Sequence, residues 1–561
     1  MAQRRARGWR SLVDALRDPA RSEFAFVPHH YIHAPAELVD VCLSPGESTP
    51  INARKDYGER ALPHQLNRYL LLHVVAIGCS AVCCMWLSLF PISASRLYNM
   101  QVDVFNTSHE HASFFFNQCL YLGTIFGAAA AGYLGDRLGR AGALEFSAIP
   151  YIIGWLLIGL AYGEVTVVIG RYLLGIATGM MAVVAPIYLA EVSAARTRGR
   201  VLCGYALFAG VGSLCYLAIG AFFVDLSHSY LGFNLSEWKV LAMAGLAPGL
   251  LLLLAMQKLP DSPTWLVVRH EDRETAFEIL ARLFNGSYKS AEYQVNSIIH
   301  ANVLATQDRT HRGAFFRPLV LCGLLFTLRA VCSFLLAPTL SSTRTGSFVV
   351  TVLGVSVDGA ETDMLYAMAF MWVAACIGVV GCMLLVDVRG RLMALQSGCY
   401  VVAACCLFML WSAYRAKNLD GDLADYGSAT VLLMVAGYQL GLGVVPVIVA
   451  SELFPVKQRL GAVSLVVIWD ALVRFALAYV VEFLRLQLHS LHVLWCAAGA
   501  VLLCNVVGVV VAGFYLPETS QRSLQEIEAI FSGWQPATPQ LGFSRVRLGG
   551  LRYGTSSSYS A

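Results

Sequence analysis

Long apolar stretches alternate with short polar turns along most of the chain. Each stretch holds about 20 residues, which is the length of helix that crosses the hydrocarbon core of a bilayer. The pattern predicts six spans, a long polar segment and six more spans. Their ranges are 69–92, 113–134, 143–163, 166–189, 200–224 and 238–257, then 316–338, 363–386, 392–414, 428–451, 460–484 and 490–516. We therefore expect an all-α membrane protein with twelve transmembrane helices in two six-helix bundles.

The ends of the fourth and tenth spans share one arrangement of residues. In the first copy Pro186 and Glu191 close a span, and Arg198 opens the next one. About 260 residues later the second copy has Pro446, Glu452 and Arg459 in the same order. A carboxylate at a membrane boundary is costly unless a partner holds it. The recurrence predicts two related, pseudo-symmetric halves with a charge cluster in each.

The spans divide the chain into five predicted parts. They are a cytosolic N-terminal tail (1–67), a first bundle (68–257), a cytosolic linker with short amphipathic helices (258–315), a second bundle (316–516) and a cytosolic C-terminal tail (517–561). In the first tail, an apolar face with flanking arginines predicts either a helix on the membrane surface or a disordered segment. That face comprises Trp9, Leu12, Val13 and Leu16.

Basic residues cluster in the loops on one predicted side of the membrane, and the loops on the other side are richer in acidic residues. The positive-inside rule then puts both termini in the cytosol, and we expect the plasma membrane. Asn106 and Asn234 begin glycosylation triplets in predicted outside loops, whereas Asn285 falls on the inside. The expected product is a multi-pass glycoprotein.

Composition excludes several classes of protein. The 561 residues are 57% hydrophobic and 14% charged, whereas a soluble chain carries about a quarter charged residues. A net charge of +4 is too small to predict nucleic-acid binding. The cysteines fall almost entirely in apolar runs, so no disulfide framework is expected. With no phosphate-cradling loop and no metal-ligand spacing, we expect neither an enzyme nor a cofactor or metal.

Charged glycine-containing turns follow the second span and the eighth. The first contains Asp136, Arg137 and Arg140, and the second contains Asp387 and Arg391. Two halves with charge clusters at one end suit a carrier that rocks about a central site. The clusters are expected to form salt bridges that close the inner face.

The chain resembles the sugar porters of the major facilitator superfamily over roughly residues 69–531. The motifs that carry the resemblance are Gly132–Arg140, Arg171 with Gly175 and Gly179, Pro186–Glu191 with Arg198–Arg200, Pro260–Pro263, and Pro517–Thr519 with Ser523–Glu528. The resemblance implies the major facilitator fold and alternating access. It also implies an inner gate network, in which we include Asp136, Arg137, Arg140, Glu191, Arg198, Asp387, Arg391, Glu452, Arg459 and Glu518.

The chain departs from its family at the sugar site. Ala206 replaces a glutamine of span five, and Asp470 replaces an asparagine of span eleven. Span seven has Arg329–Leu335 where the family carries an amide-rich signature, and span one has Cys79 and Ser80 where proton-coupled members carry an aspartate. The candidate residues of the substrate cavity are Arg329, Ser333, Asp470, Arg474 and Ala206.

Two of these candidates bring charge deep into the membrane. At 1.5 Å per residue, Arg329 lies roughly 18 Å and Asp470 roughly 15 Å from the inner surface. A charge at that depth needs a partner, so we expect Arg329 and Asp470 to approach each other. The alternative is that Asp470 pairs with Arg474 one turn along its own helix. Arg171 is expected to be structural, and His73 to be a satisfied interior histidine rather than a proton carrier.

The sequence therefore predicts a secondary transporter of a small polar solute, acting in the lipid bilayer by alternating access. The family default is a sugar or polyol. Two alternatives remain at this point, a carrier of a charged organic solute and a non-transporting nutrient sensor. The solute itself, the coupling ion and the oligomeric state are not determined.

Overall fold

The computed structural model describes residues 68–90, 109–229, 237–284, 288–307, 312–336, 361–418, 424–487, 490–524 and 526–527. Within these ranges the chain is helical, with short turns and no strand. The N-terminal tail, the glycosylation candidates Asn106 and Asn234, and Asn285 lie outside the described residues.

Six spans make up the N-terminal half. In order they are Arg68–Leu89, His109–Arg137, Gly139–Gly159, Glu164–Val192, Arg198–Ser229, and a sixth that is divided at Gly245 into Glu237–Ala244 and Leu246–Lys258. Spans two, three and four pack together, and spans one, five and six pack together.

The C-terminal half repeats this arrangement. Its spans are Arg312–Leu336 (seven), Glu361–Leu385 (eight), Arg391–Asn418 (nine), Ala424–Leu453 in three pieces (ten), Arg459–Gln487 (eleven) and Ser490–Phe514 (twelve). The two halves meet where span two packs against span eleven and span five packs against span eight.

Eleven helices within the described residues are long and apolar enough to cross a membrane. Span two is not among them, although it has 29 residues. Polar residues occupy both of its ends, and a run of small residues, 127–132, lies in its second half. It packs on span four and span eleven. At Gly123, on the contact with span four, a Cβ atom would collide with the carbonyl oxygen of Tyr172, so the backbones approach closely.

Span ten is not the continuous helix that its apolar pattern predicts. A π-helical turn, Gln439–Gly443, separates Ala424–Tyr438 from Val445–Leu453. Pro446 follows directly and has no backbone N–H to donate. The amides of Val447 and Ile448 both bond to the carbonyl of Val444. The carbonyl of Gly443 is thus available to a side chain, as is common at π-helical turns.

Three short helices lie between the halves: Pro263–His270, Arg273–Leu283 and Tyr288–Gln307. The Ser262 side chain caps the first by accepting from the amide of Trp265 at 3.5 Å. Asp272 caps the second by accepting from the amide of Thr275 at 3.2 Å. Trp265 anchors this segment to the N-terminal half, because its indole N–H donates to the carbonyl of Asp136 at 2.9 Å.

Candidate functional site

A buried ion pair closes one end of the N-terminal half. Arg140, at the start of span three, binds both carboxylate oxygens of Glu191, at 3.1 Å and 3.2 Å. The hydroxyl of Ser262 donates to the same carboxylate. Glu191 thus has three donors in place of water, which offsets the cost of burying its charge.

The C-terminal half builds the same arrangement from matching residues. Arg391, at the start of span nine, donates to Glu452 at 2.9 Å, and the hydroxyl of Thr519 donates to the other oxygen of Glu452 at 2.6 Å. Ser262 and Thr519 were missed as functional residues from sequence. The signal was present, since each lies two residues after a proline that follows the last span of its half.

Two further carboxylates cap the N-termini of spans three and nine, the helices that carry Arg140 and Arg391. Asp261 accepts from the amide of Ala141 at 2.8 Å, and Glu518 accepts from the amides of Arg391 and Leu392 at 3.0 Å and 3.2 Å. Anions are stabilised at helix N-termini. The turns pass through Gly139 and Gly390, whose φ angles are 84° and 97°, a conformation that L side chains rarely adopt.

The two halves are tied crosswise at this end. Glu191 lies 3.8 Å from Arg459 of the other half, and Glu452 lies 3.7 Å from Arg198. Each arginine is also held by a carbonyl, because Arg459 donates to Phe454 and Arg198 to Ala190, both at 3.2 Å. All of these charged side chains are buried. We call Arg140, Glu191, Arg198, Asp387, Arg391, Glu452 and Arg459 the charged cluster.

Asp387 makes a second tie between the halves. It accepts from the amides of Gly199 and Arg200 at the start of span five, at 3.1 Å and 2.8 Å. It also binds Arg391 at 3.1 Å. Burial raises the pKa of the Asp387 carboxyl above its usual range, although the Arg391 guanidinium opposes that shift. Its counterpart Asp136 is half-exposed and lies 3.5 Å from Arg140.

The structure does not bring Arg137 into this cluster, contrary to our expectation. Its exposed guanidinium lies over the ring of Tyr133, 4.6 Å from the centroid. Arg137 is the last residue of span two and is exposed there, whereas Arg140 lies at the start of span three and is buried. The segment that follows span twelve also contacts the charged cluster. There the carbonyl of Arg522 accepts a hydrogen bond from Arg198 at 3.4 Å.

Deeper in the membrane, Arg329 lies between span seven and the π-helical turn of span ten. Its Nε donates to the carbonyl of Gly443 at 3.2 Å. Tyr438 of span ten donates back to the carbonyl of Arg329 at 3.4 Å. Among the residues that the structure describes, the two Nη atoms have no hydrogen-bond acceptor.

The expected approach of Arg329 to Asp470 is wrong. Within the described residues Asp470 pairs with Arg474 on its own helix, at 2.8 Å and 3.4 Å. An i,i+4 partner needs no relative movement of two helices, and Arg329 is held instead by Gly443. The alternative considered from sequence, a pair within span eleven, is the observed arrangement.

Two tyrosines that the sequence analysis did not name also lie near these charges. Tyr121 of span two lies within electrostatic range of Arg474 and Asp470. Tyr205 of span five lies near Arg329, and its hydroxyl oxygen lies 3.5 Å from that of Ser80. Their signal was weak, because a tyrosine in an apolar run is more often part of the core.

The other two cavity candidates contribute less. Ser333 donates to the carbonyl of Ala330 at 3.1 Å, within its own helix. Ala206 is half-buried and has no polar side-chain atom.

Two buried basic residues have structural contacts. Arg171 donates to the carbonyl of Leu87 at 3.0 Å and lies 4.8 Å from the ring centroid of Phe116. The Nδ1 atom of His73 lies 2.8 Å from the carbonyl oxygen of Tyr69, but its buried Nε2 atom has no hydrogen-bond partner among the described residues, so the expected full satisfaction of this histidine is wrong. Arg171 therefore joins spans one, two and four, which agrees with a structural role.

Comparisons with known proteins agree with this geometry. Residues 85–531 match the model of the family described as "Sugar (and other) transporter". The sugar transporter ERD6-like 8 of Arabidopsis thaliana is 28% identical over 76% of this chain and 86% of that protein. The facilitated trehalose transporter Tret1 of Culex quinquefasciatus is 26% identical over 73% of this chain and 76% of its own length.

The fold also matches solved structures. The proton:xylose symporter XylE, solved with 6-bromo-6-deoxy-D-glucose, superposes with a TM-score of 0.70 and 21% identity, over 82% of this chain and 99% of that one. For the inward-open structure of XylE from E. coli the TM-score is 0.57. From the family match and the helical architecture together, the chain belongs to the sugar transporter family and is a multi-pass secondary transporter of the major facilitator superfamily.

Proposed function

We propose that this carrier moves a neutral sugar or polyol down its gradient by alternating access and leaves the solute chemically unchanged. It acts in the plasma membrane with both termini in the cytosol, so the charged cluster faces the cytoplasm. This orientation rests on the arginines of the loops around the cluster, because positively charged loops stay inside.

The crosswise ion pairs are the observation that carries the proposal. Glu191–Arg459 and Glu452–Arg198 link the halves at the charged end, where the polar groups are buried. A rocking movement that opens this end must separate both pairs. The described conformation is therefore the one in which the cytoplasmic side is closed.

The polar side chains between the two halves, around Arg329, favour a solute that carries hydroxyl groups. Arg329 retains its Nη donors, and the phenol groups of Tyr121, Tyr205 and Tyr438 come from spans two, five and ten. Sugar hydroxyls are both donors and acceptors, so phenols and a guanidinium serve them from several sides. The printed names of the relatives, which include sugar and trehalose transporters, agree. They favour this solute class over a charged organic solute or a sensor role.

Uptake into liposomes tests this proposal. The purified carrier should take up at least one labelled hexose, pentose or inositol. Arg329→Gln keeps a polar side chain but removes the charge and most donors, and losing a hydrogen bond to a charged group costs about 1.5–3 kcal/mol. We expect KM to rise at least tenfold, while Arg317→Gln, at an exposed arginine of the same span, leaves KM unchanged.

Two results would contradict the proposal. One is uptake of organic anions with no uptake of any sugar or polyol. The other is an equal KM for Arg329→Gln and Arg317→Gln, which would remove Arg329 from the solute site.

A further inference from the structure

Two cysteines from opposite halves of the carrier touch next to the charged cluster. The Sγ atom of Cys203 in span five lies 3.7 Å from that of Cys382 in span eight. Both side chains are fully buried, and both thiols are free. The pair is unrelated to solute binding and to the ion pairs, so neither role accounts for it.

The helices around the pair approach closely on both sides of it. At Gly199 a Cβ atom would collide with Asp387. Seven residues beyond Cys203, a Cβ atom on Gly210 would lie 2.5 Å from the Sγ atom of Cys376. Spans five and eight therefore run side by side past the two thiols. The Sγ atoms need to close from 3.7 Å to the roughly 2.05 Å of a disulfide bond, which rotation of the side chains can supply.

The pair lies at a joint that must open during transport. Cys203 is five residues beyond Arg198, which pairs with Glu452, and Cys382 is five residues before Asp387, which caps span five. At 1.5 Å per residue the thiols are about 7.5 Å from these ties. Parting of the halves at the charged end therefore separates the sulfurs and exposes them.

We propose that Cys203 and Cys382 form a disulfide that locks the carrier with its cytoplasmic side closed. The oxidant is a peroxide. In the open state one thiolate attacks a peroxide oxygen, the O–O bond breaks and hydroxide leaves, so that the cysteine becomes a sulfenic acid. When the halves close again, the second thiol attacks the sulfenic sulfur, an S–S bond forms and water leaves.

The alternation of closed and open conformations during transport explains how buried thiols can react. In the closed state both sulfurs are shielded, and buried cysteines are inert. Cycling exposes them briefly, so an active carrier is oxidised faster than a resting one. A covalent bond between spans five and eight then holds the carrier closed. Peroxide would thus stop uptake by a carrier that is working.

Peroxide treatment of the carrier in liposomes tests the proposal. We expect hydrogen peroxide to slow uptake of the transported sugar at least tenfold. A non-reduced digest analysed by mass spectrometry should contain a Cys203–Cys382 linked peptide in the inhibited sample. Cys203→Ala and Cys382→Ala should each resist peroxide.

Cys376→Ala is the matched control, because Cys376 lies on the same helix and faces Gly210 rather than a cysteine. It should remain as sensitive as the unchanged carrier. Inhibition that persists in both Cys203→Ala and Cys382→Ala overturns the proposal. So does a linked peptide in a carrier that still transports at its full rate.

Discussion

Glu452 of the C-terminal half lies 3.7 Å from Arg198 of the N-terminal half, between Oε1 and Nη1. The same oxygen accepts from Arg391 at 2.9 Å, so one carboxylate holds an arginine of its own half and one of the other. This sharing makes closure between the halves depend on the same groups that order each half.

Neutralising Glu452 should open the charged end. Glu452→Gln leaves Arg198 and Arg391 short of a negative charge, and an unpaired buried charge costs about 3–5 kcal/mol. A bias of about 1.4 kcal/mol toward the open state changes the populations tenfold. We therefore expect N-ethylmaleimide to label Cys203, which is fully buried in the closed state, about tenfold faster.

Glu278→Gln is the control for that experiment, because Glu278 is exposed on a linker helix. Its labelling rate should equal that of the unchanged carrier. Equal labelling of Cys203 in Glu452→Gln would show that the ion pair does not govern opening.

The two left-handed glycines should be sensitive to alanine. A left-handed conformation costs an L residue about 1–2 kcal/mol, and the new Cβ atom would also displace Asp261 or Glu518 from its capping position. Gly139→Ala and Gly390→Ala should each lower the thermal midpoint of the carrier in detergent. Gly499→Ala is the control, since a Cβ atom at Gly499 meets nothing within 4 Å. An equal midpoint for all three variants would refute this explanation.

Asp470 and Arg474 should be coupled energetically. Either residue alone is a charge within the membrane, which costs about 2.5–3.5 kcal/mol on insertion scales. Asp470→Asn and Arg474→Gln should each destabilise the carrier, whereas the double variant should lose less stability than the sum of the two. Thermal unfolding of all four proteins measures this difference. Strict additivity would mean that the 2.8 Å contact contributes nothing to stability.

Transport should be independent of a proton gradient. Span one, Arg68–Leu89, contains no aspartate or glutamate. The hydroxyl of Ser80 donates to the carbonyl of Ile77 at 2.6 Å and cannot exchange a proton near neutral pH. Sugar uptake should reach the same level in liposomes with and without an imposed pH gradient. Accumulation above equilibrium in an acid-outside gradient would contradict this, and His73→Asn would then test whether the histidine of this span carries the proton.

The sequence by itself predicted the helices, their grouping into two halves and all seven members of the charged cluster. Apolar length is a local property, and so is the charge of a turn, so both can be counted along the chain. Glu191 and Glu452 were found because the same pattern occurs twice. The sequence did not predict the π-helical turn of span ten, although Pro446 lies three residues after it.

Only the tertiary structure decided which charges meet. Glu191 pairs across the halves with Arg459 rather than with Arg198 a few residues away, and Arg329 binds a carbonyl rather than Asp470. The contact between Cys203 and Cys382, 179 residues apart, has no local signal at all. Such partners depend on how each helix is rotated and tilted against its neighbours. The packing of small residues such as Gly199 and Gly210 sets that rotation. The atom-scale fit between two helices depends on both of them, so the periodicity of either one alone does not reveal it.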